Sequence, residues 1–73
     1  MKLYRKEKKE FVLVEDVSSI KVGNIVKVFS EKSNKFINKE PYFVHKIEGS
    51  KIQLQQSNRL CVYDTEANCF SLK

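Results

Sequence analysis

The stretch from Pro41 to Gln56, PYFVHKIEGSKIQLQQ, leaves this chain little choice of local structure. Two runs of roughly alternating polarity meet at Gly49-Ser50, which is the pattern of a β-hairpin with a two-residue turn. Glycine in the first central position suits a type II′ turn, whose twist matches that of the flanking strands. Counting back from that turn sets Glu48 against Lys51, Ile47 against Ile52, His45 against Leu54 and Phe43 against Gln56. Side chains alternate across a strand. One face is therefore expected to hold Phe43, His45, Ile47, Ile52 and Leu54 as a core face. The other holds Tyr42, Val44, Lys46, Glu48, Lys51, Gln53 and Gln55 as a mostly wet one. His45, the single histidine, reads on this register as a structural core residue with its hydrogen bonds met.

The other segments are short and β-like. Met1 to Glu10, MKLYRKEKKE, is dominated by charge and is read as a basic N-terminal arm (1–10) leading into a single small domain (11–73). Phe11 to Glu15, FVLVE, reads as a strand. Asp16-Val17-Ser18-Ser19 is a turn, because aspartate and serine side chains bond to nearby backbone. Gly23-Asn24 tolerates positive φ and turns the chain into Ile25–Phe29. There Val26 and Val28 share one face, and Ile25, Lys27 and Phe29 the other. Ser30 to Glu40, SEKSNKFINKE, reads as one long loop, a length that often carries function. Pro41 suits a strand's first position. After a turn at Ser57-Asn58, RLCVYD (59–64) and CFSL (69–72) complete the strands. Phe70 and Leu72 are expected on one face. A hairpin centred on Thr65 would set Cys61 opposite Cys69.

The order V-G-N-x-V-x-V (Val22 to Val28), a long loop, an aromatic-led strand and a tight hairpin resembles the small barrels of the SH3-like superfamily, Tudor-like and KOW-like domains among them. The resemblance covers about residues 20–72. It implies an all-β, mainly antiparallel SH3-like barrel of five to six short strands that acts as a binding module. The two-glycine pattern of KOW segments is absent. The aromatic cage of Tudor domains is not carried over to Phe29, Phe36, Tyr42 and Glu40.

Seventy-three residues make one domain, and a domain of that size buries only about 60% of its unfolded surface. Little interior can be spared for a deep substrate cavity, so function is expected on the surface. The longest apolar run, Phe11 to Val14, is far too short to span a membrane. The charged start, with no apolar stretch behind it, is not expected to act as a secretory signal. The two cysteines are expected as thiols in a cytoplasmic setting. Cys61, Cys69 and His45 are too few and too scattered for a metal site. No phosphate-binding glycine loop is present, and the acids form no obvious catalytic pair. The expectation is a protein that is not an enzyme and has no cofactor, metal or small-molecule substrate.

Net charge is +5 and uneven. Residues 1–51 hold 12 Lys/Arg against 7 Asp/Glu, whereas residues 52–73 balance. Lysines beside aromatics suit single-stranded nucleic acid, with cations on phosphates and rings on bases. The expected contact residues are Lys27, Lys32, Lys35, Phe36, Lys39, Tyr42, Lys46 and Lys51. In a structural alternative, Phe36 or Ile37 plugs the end of the barrel and the lysines are merely solvated. A different class of function is a protein-interaction module, such as a small adaptor or a viral-type inhibitor docking on a larger protein, an acidic one included. Such a module could offer FVLV or CFSL as an edge strand.

Overall fold

A sheet with neither a helix nor a second sheet to cover it can bury a core only by curling around that core. The computed structural model describes residues 1–37 and 39–72, apart from the side chain of Leu72. Asn38 of the expected loop, the placement of Leu72 on a face with Phe70, and Lys73 lie outside the described residues. Within them there is no α-helix, only a 3-10 turn at Val17–Ser19 and eight strands. These are β1 (Lys2–Glu7), β2 (Glu10–Leu13), β3 (Ile25–Ser30), β4 (Lys35–Phe36), β5 (Tyr42–Glu48), β6 (Lys51–Gln56), β7 (Arg59–Asp64) and β8 (Cys69–Leu72). They form one sheet in the order β2-β1-β3-β5-β6-β7-β8, every pairing antiparallel, with β4 on the same edge of β3 as β5.

The inner face of this sheet is the core. Leu3, Val26, Val28, Tyr42, Val44, Ile52, Leu54, Cys61 and Tyr63 are buried on it, and Ile20 closes it from the β2–β3 connection. The curl carries β7 round to the start of β1, where the Tyr63 hydroxyl donates to the Met1 carbonyl oxygen at 3.0 Å. The all-β antiparallel class is as expected. The barrel is not: β2 and β8 stay as separate edges, so the sheet is open, with eight strands instead of five or six.

Two segments differ from the sequence reading. Residues 2–7 are not an arm but the strand between β2 and β3. Alternation turns Leu3 inward opposite Val28, where it is only 3% exposed. Arg5 also faces inward, and its guanidinium donates to the carbonyl and hydroxyl oxygens of Ser19 at 3.1 and 3.0 Å. Leu3 is the only apolar side chain of the segment's inward row, too faint a signal within ten residues of which five are basic. The long loop, in turn, contains β4. Ser30 and Lys35 close a four-residue turn, with Asn34 at φ +57° and the Ser30 hydroxyl accepting from the Ser33 N–H.

The Gly49-Ser50 hairpin forms with Glu48 opposite Lys51 and Ile47 opposite Ile52, and Gly49 takes φ +59°. Beyond Lys46 the expected register fails. His45 is the extra residue of a β-bulge, so Val44 faces Leu54 and Phe43 faces Gln55. Tyr42 and Val44 are therefore buried, while Phe43 and His45 are exposed. Strand β3 dictates this choice: Val26 faces inward and pairs with Tyr42, so Tyr42 must face inward too. An inward His45 would also have needed partners for both ring nitrogens in an apolar interior.

Candidate nucleic-acid interface

Period-two alternation divides β1 cleanly. With Leu3, Arg5 and Glu7 turned inward, Lys2, Tyr4 and Lys6 face out. Directly opposite residues in a ladder share a face. The register therefore puts Phe29 beside Lys2, Lys27 and Leu13 on either side of Tyr4, Phe11 beside Lys6, and Phe36 beside Phe29. The outward rows of β1 to β4 thus gather three lysines and four aromatic rings. The glutamates interleaved through MKLYRKEKKE are sorted away from it. Glu7 and Glu10 lie opposite one another on the inward row, and Glu7 lies 4.0 Å from the Arg5 guanidinium.

Three of the rings form a closed edge-to-face set. Tyr4 and Phe36 are 5.3 Å apart at 76°, Phe29 and Phe36 5.3 Å at 80°, and Tyr4 and Phe29 6.0 Å at 60°. Such geometry sets the positive edge of one ring against the negative face of the next. The Lys27 ammonium lies 4.6 Å from the centroid of Phe11 and 5.3 Å from that of Phe36, within cation–π range of both. The cluster is thus a supported platform, with Phe36 its most open ring at 36% exposure. The ion pairs found among the described residues involve the N-terminus with Glu31, Arg5 with Glu7 and Lys46 with Glu48. None of them neutralises Lys2, Lys6 or Lys27.

Of the expected contact residues, Lys27 and Phe36 are on this platform. Lys32 is exposed in the β3–β4 turn, Lys35 neighbours Phe36 on β4 but faces the other way, and Lys39 is exposed between β4 and β5. Lys46 and Lys51 lie at the β5–β6 tip, and β5 runs from its pairing with Ile25 away from β4. Lys46 there is 2.9 Å from Glu48, and Lys51 faces Glu48 and Asp64, so that tip is locally balanced. Tyr42 is corrected outright: at 3% exposure it packs on Phe70, ring centroids 5.6 Å apart, and cannot meet a ligand. Burial raises its phenol pKa above the ordinary tyrosine value. Lys2, Tyr4, Lys6, Phe11 and Phe29 are the platform residues that the sequence reading did not assign to a site.

Other polar groups serve the fold. Cys61 is buried and Cys69 exposed, both as free thiols. The ladder pairs Cys61 with Leu72 and Cys69 with Asp64, so the expected opposition of the two cysteines does not occur. They stand three rungs apart, roughly 10 Å at the rise of a strand, which is beyond disulfide reach. A shallow open groove of about 510 Å³ crosses the outer face of β6 to β8, beside Lys51, Gln53, Asp64 and Cys69. Its Asp64 carboxylate is committed to the adjoining turn, accepting from the Ala67 and Glu66 N–H groups at 3.2 and 3.0 Å. Those bonds, the Ala67 one foremost, hold its pKa below the usual range. Among the described residues, no group of three or more His, Cys, Asp or Glu is placed to hold a metal ion. No helix among them is long and apolar enough to cross a membrane.

Comparison with known protein families, with characterised proteins and with solved structures gives no match.

Proposed function

We propose that the protein is a non-catalytic binding module that holds single-stranded nucleic acid on the outward face of β1 to β4, within a reducing, cytoplasm-like compartment. The observation that carries this reading is the sorting of charge. Lys2, Lys6 and Lys27 share a face with Tyr4, Phe11, Phe29 and Phe36, and the outward rows of these four strands contain no acid. Lysines on a sheet face can track a phosphate backbone while exposed rings stack on bases. Stacking needs bases that are splayed out, which favours a single strand over a duplex. Every base offers a π face, so little sequence preference follows. The exposed thiol of Cys69 suits a reducing compartment. A binding module is also what the SH3-like resemblance implies.

Contacts from Lys2, Lys6 and Lys27 to phosphates set the expected salt dependence. With three contacts on a single strand, the slope of log K against log salt is about −2. Raising salt from 50 to 200 mM should then weaken binding by roughly twentyfold. Affinity at physiological salt should fall around 10⁻⁴–10⁻⁶ M, the range of sequence-independent binding. Fluorescence anisotropy with labelled mixed-sequence DNA and RNA oligonucleotides, single-stranded and duplex, tests this. Binding that falls steeply with salt and weakens in Phe36→Ala supports the reading. No binding at 50 mM salt removes it.

A further inference from the structure

We infer that the protein self-associates through β2, forming a two-fold dimer in which the β2 strands of two copies pair antiparallel about Val12. This does not rest on the nucleic-acid reading. Strand β2 is one end of the sheet. Its register with β1 fixes which backbone groups are spare. The Val14 N–H donates to the Leu3 carbonyl at 2.8 Å, so the residues two and four positions back, Val12 and Glu10, also bond inward to β1. The N–H and C=O groups of Phe11 and Leu13 therefore point away from the sheet. Val12 is 43% exposed and Leu13 37% exposed on this edge. Neither a lysine nor a proline lies within Glu10–Leu13 to blunt it.

The sequence around the edge is complementary to its own reverse. Lys8-Lys9 precede the apolar run and Glu15-Asp16 follow it, with Val12 midway. In a pairing centred on Val12, Phe11 meets Leu13 of the second copy on both sides of the axis. The spare groups then exchange four main-chain hydrogen bonds. Val12 packs on Val12 at the centre, where side chains approach closest. Just beyond the ladder, Lys9 comes against Glu15 of the second copy, twice. The other registers that satisfy the same backbone groups are worse. Centring on Phe11 sets Lys9 against Leu13. Centring on Leu13 sets Phe11 against Glu15 and Glu10 against Asp16, which is a like-charge pair. A symmetric pairing of this kind closes on itself, whereas β2 against β8 would run on as a filament. A two-strand seam buries less than a standard interface, so the dimer should be weak and reversible, forming at roughly 0.1 mM and above.

Sedimentation equilibrium from about 10 µM to 1 mM tests the inference, with a charge exchange to assign the surface. Lys9→Glu and Glu15→Lys each replace two attractive contacts by two repulsive ones and should weaken the dimer roughly tenfold or more. Both side chains are exposed, so the fold is preserved, as circular dichroism will check. An equimolar mixture of the two variants restores complementarity at both contacts, and the dimer should return as a heterodimer. Amide exchange at high concentration should protect the Phe11 and Leu13 N–H groups. A monomer throughout the range, a dimer indifferent to both variants, or a mixture that stays monomeric would each overturn the inference.

Discussion

Replacing Leu3 by alanine separates a core strand from a charged arm. Leu3 is 3% exposed, opposite Val28 on the inner face of the sheet. Truncating a buried leucine removes its transfer free energy and leaves a cavity, for about 2–5 kcal/mol. Leu3 lies near the chain terminus, beside the partly buried Met1, where neighbours can relax into the gap. A figure of about 3 kcal/mol, in the lower half of that range, is therefore expected. A 73-residue domain has only some 4–11 kcal/mol of stability at about 0.05–0.15 kcal/mol per residue. At about 4–8 °C per kcal/mol for a domain this small, Leu3→Ala should lower Tm by roughly 12–24 °C. Thermal unfolding followed by circular dichroism reads this directly. Lys2→Ala, one residue away on the outward row, should stay within about 0.5 kcal/mol as the control. If Leu3→Ala unfolds within about 2 °C of the parent, which corresponds to under 0.5 kcal/mol, the first strand contributes nothing to the core and the reasoning fails.

Three further outcomes follow from individual residues. Lys8 holds φ +59° in the β1–β2 turn, a region that strains a side chain, so Lys8→Gly should raise stability by about 0.5–1 kcal/mol in urea unfolding. Burial raises the pKa of the Cys61 thiol, and the residue is only 1% exposed. A thiol reagent should therefore react promptly with Cys69 alone in the native protein, and with both cysteines in denaturant. The Asp16 carboxylate accepts from the Ser18 hydroxyl at 2.6 Å and N–H at 3.0 Å, which holds its pKa below the ordinary aspartate value, as the Ala67 N–H and its neighbours do for Asp64. A lowered folded value gives stability that is present above the unfolded value and lost as pH falls through the folded one. Tm should therefore fall on acidification below about pH 4, and Asp16→Asn/Asp64→Asn should make that fall shallower.

The sequence announced those elements whose turns are local. Gly49-Ser50 set the central hairpin, Asp16 and the two serines set the 3-10 turn, and Gly23 (φ +98°) led into β3 as read. Strands β7 and β8 have the bounds read for them. The failures came where long-range pairing decides. The bulge at His45 has no signature within its own strand; it follows from Tyr42 having to match Val26 across the ladder. The missed strand β4 did have a signal. Ser30-x-x-x-Asn34 repeats the pattern Asp64-x-x-x-Asn68. Both segments turn in four residues on a side-chain acceptor, with the final asparagine at φ +57° and +52°. The site was half legible. Alternation along Ile25–Phe29 sets Lys27 and Phe29 on one face, and Phe36 stands out among the lysines of its segment. Lys2, Tyr4 and Lys6 are hidden because charge masks the alternation of the strand that aligns them, and with it the separation of its lysines from its glutamates.

The central claim is that the outward rows of β1 to β4, and not the lysines of the β5–β6 tip, are the working surface. Amide chemical shifts of the labelled protein, followed while a single-stranded mixed-sequence oligonucleotide is added at low salt, test it residue by residue. The account predicts saturable changes concentrated at Lys2 to Lys6, Phe11, Lys27 to Phe29 and Phe36, with Lys46 to Lys51 unmoved. Changes centred on the β5–β6 tip, or none at all, would contradict it.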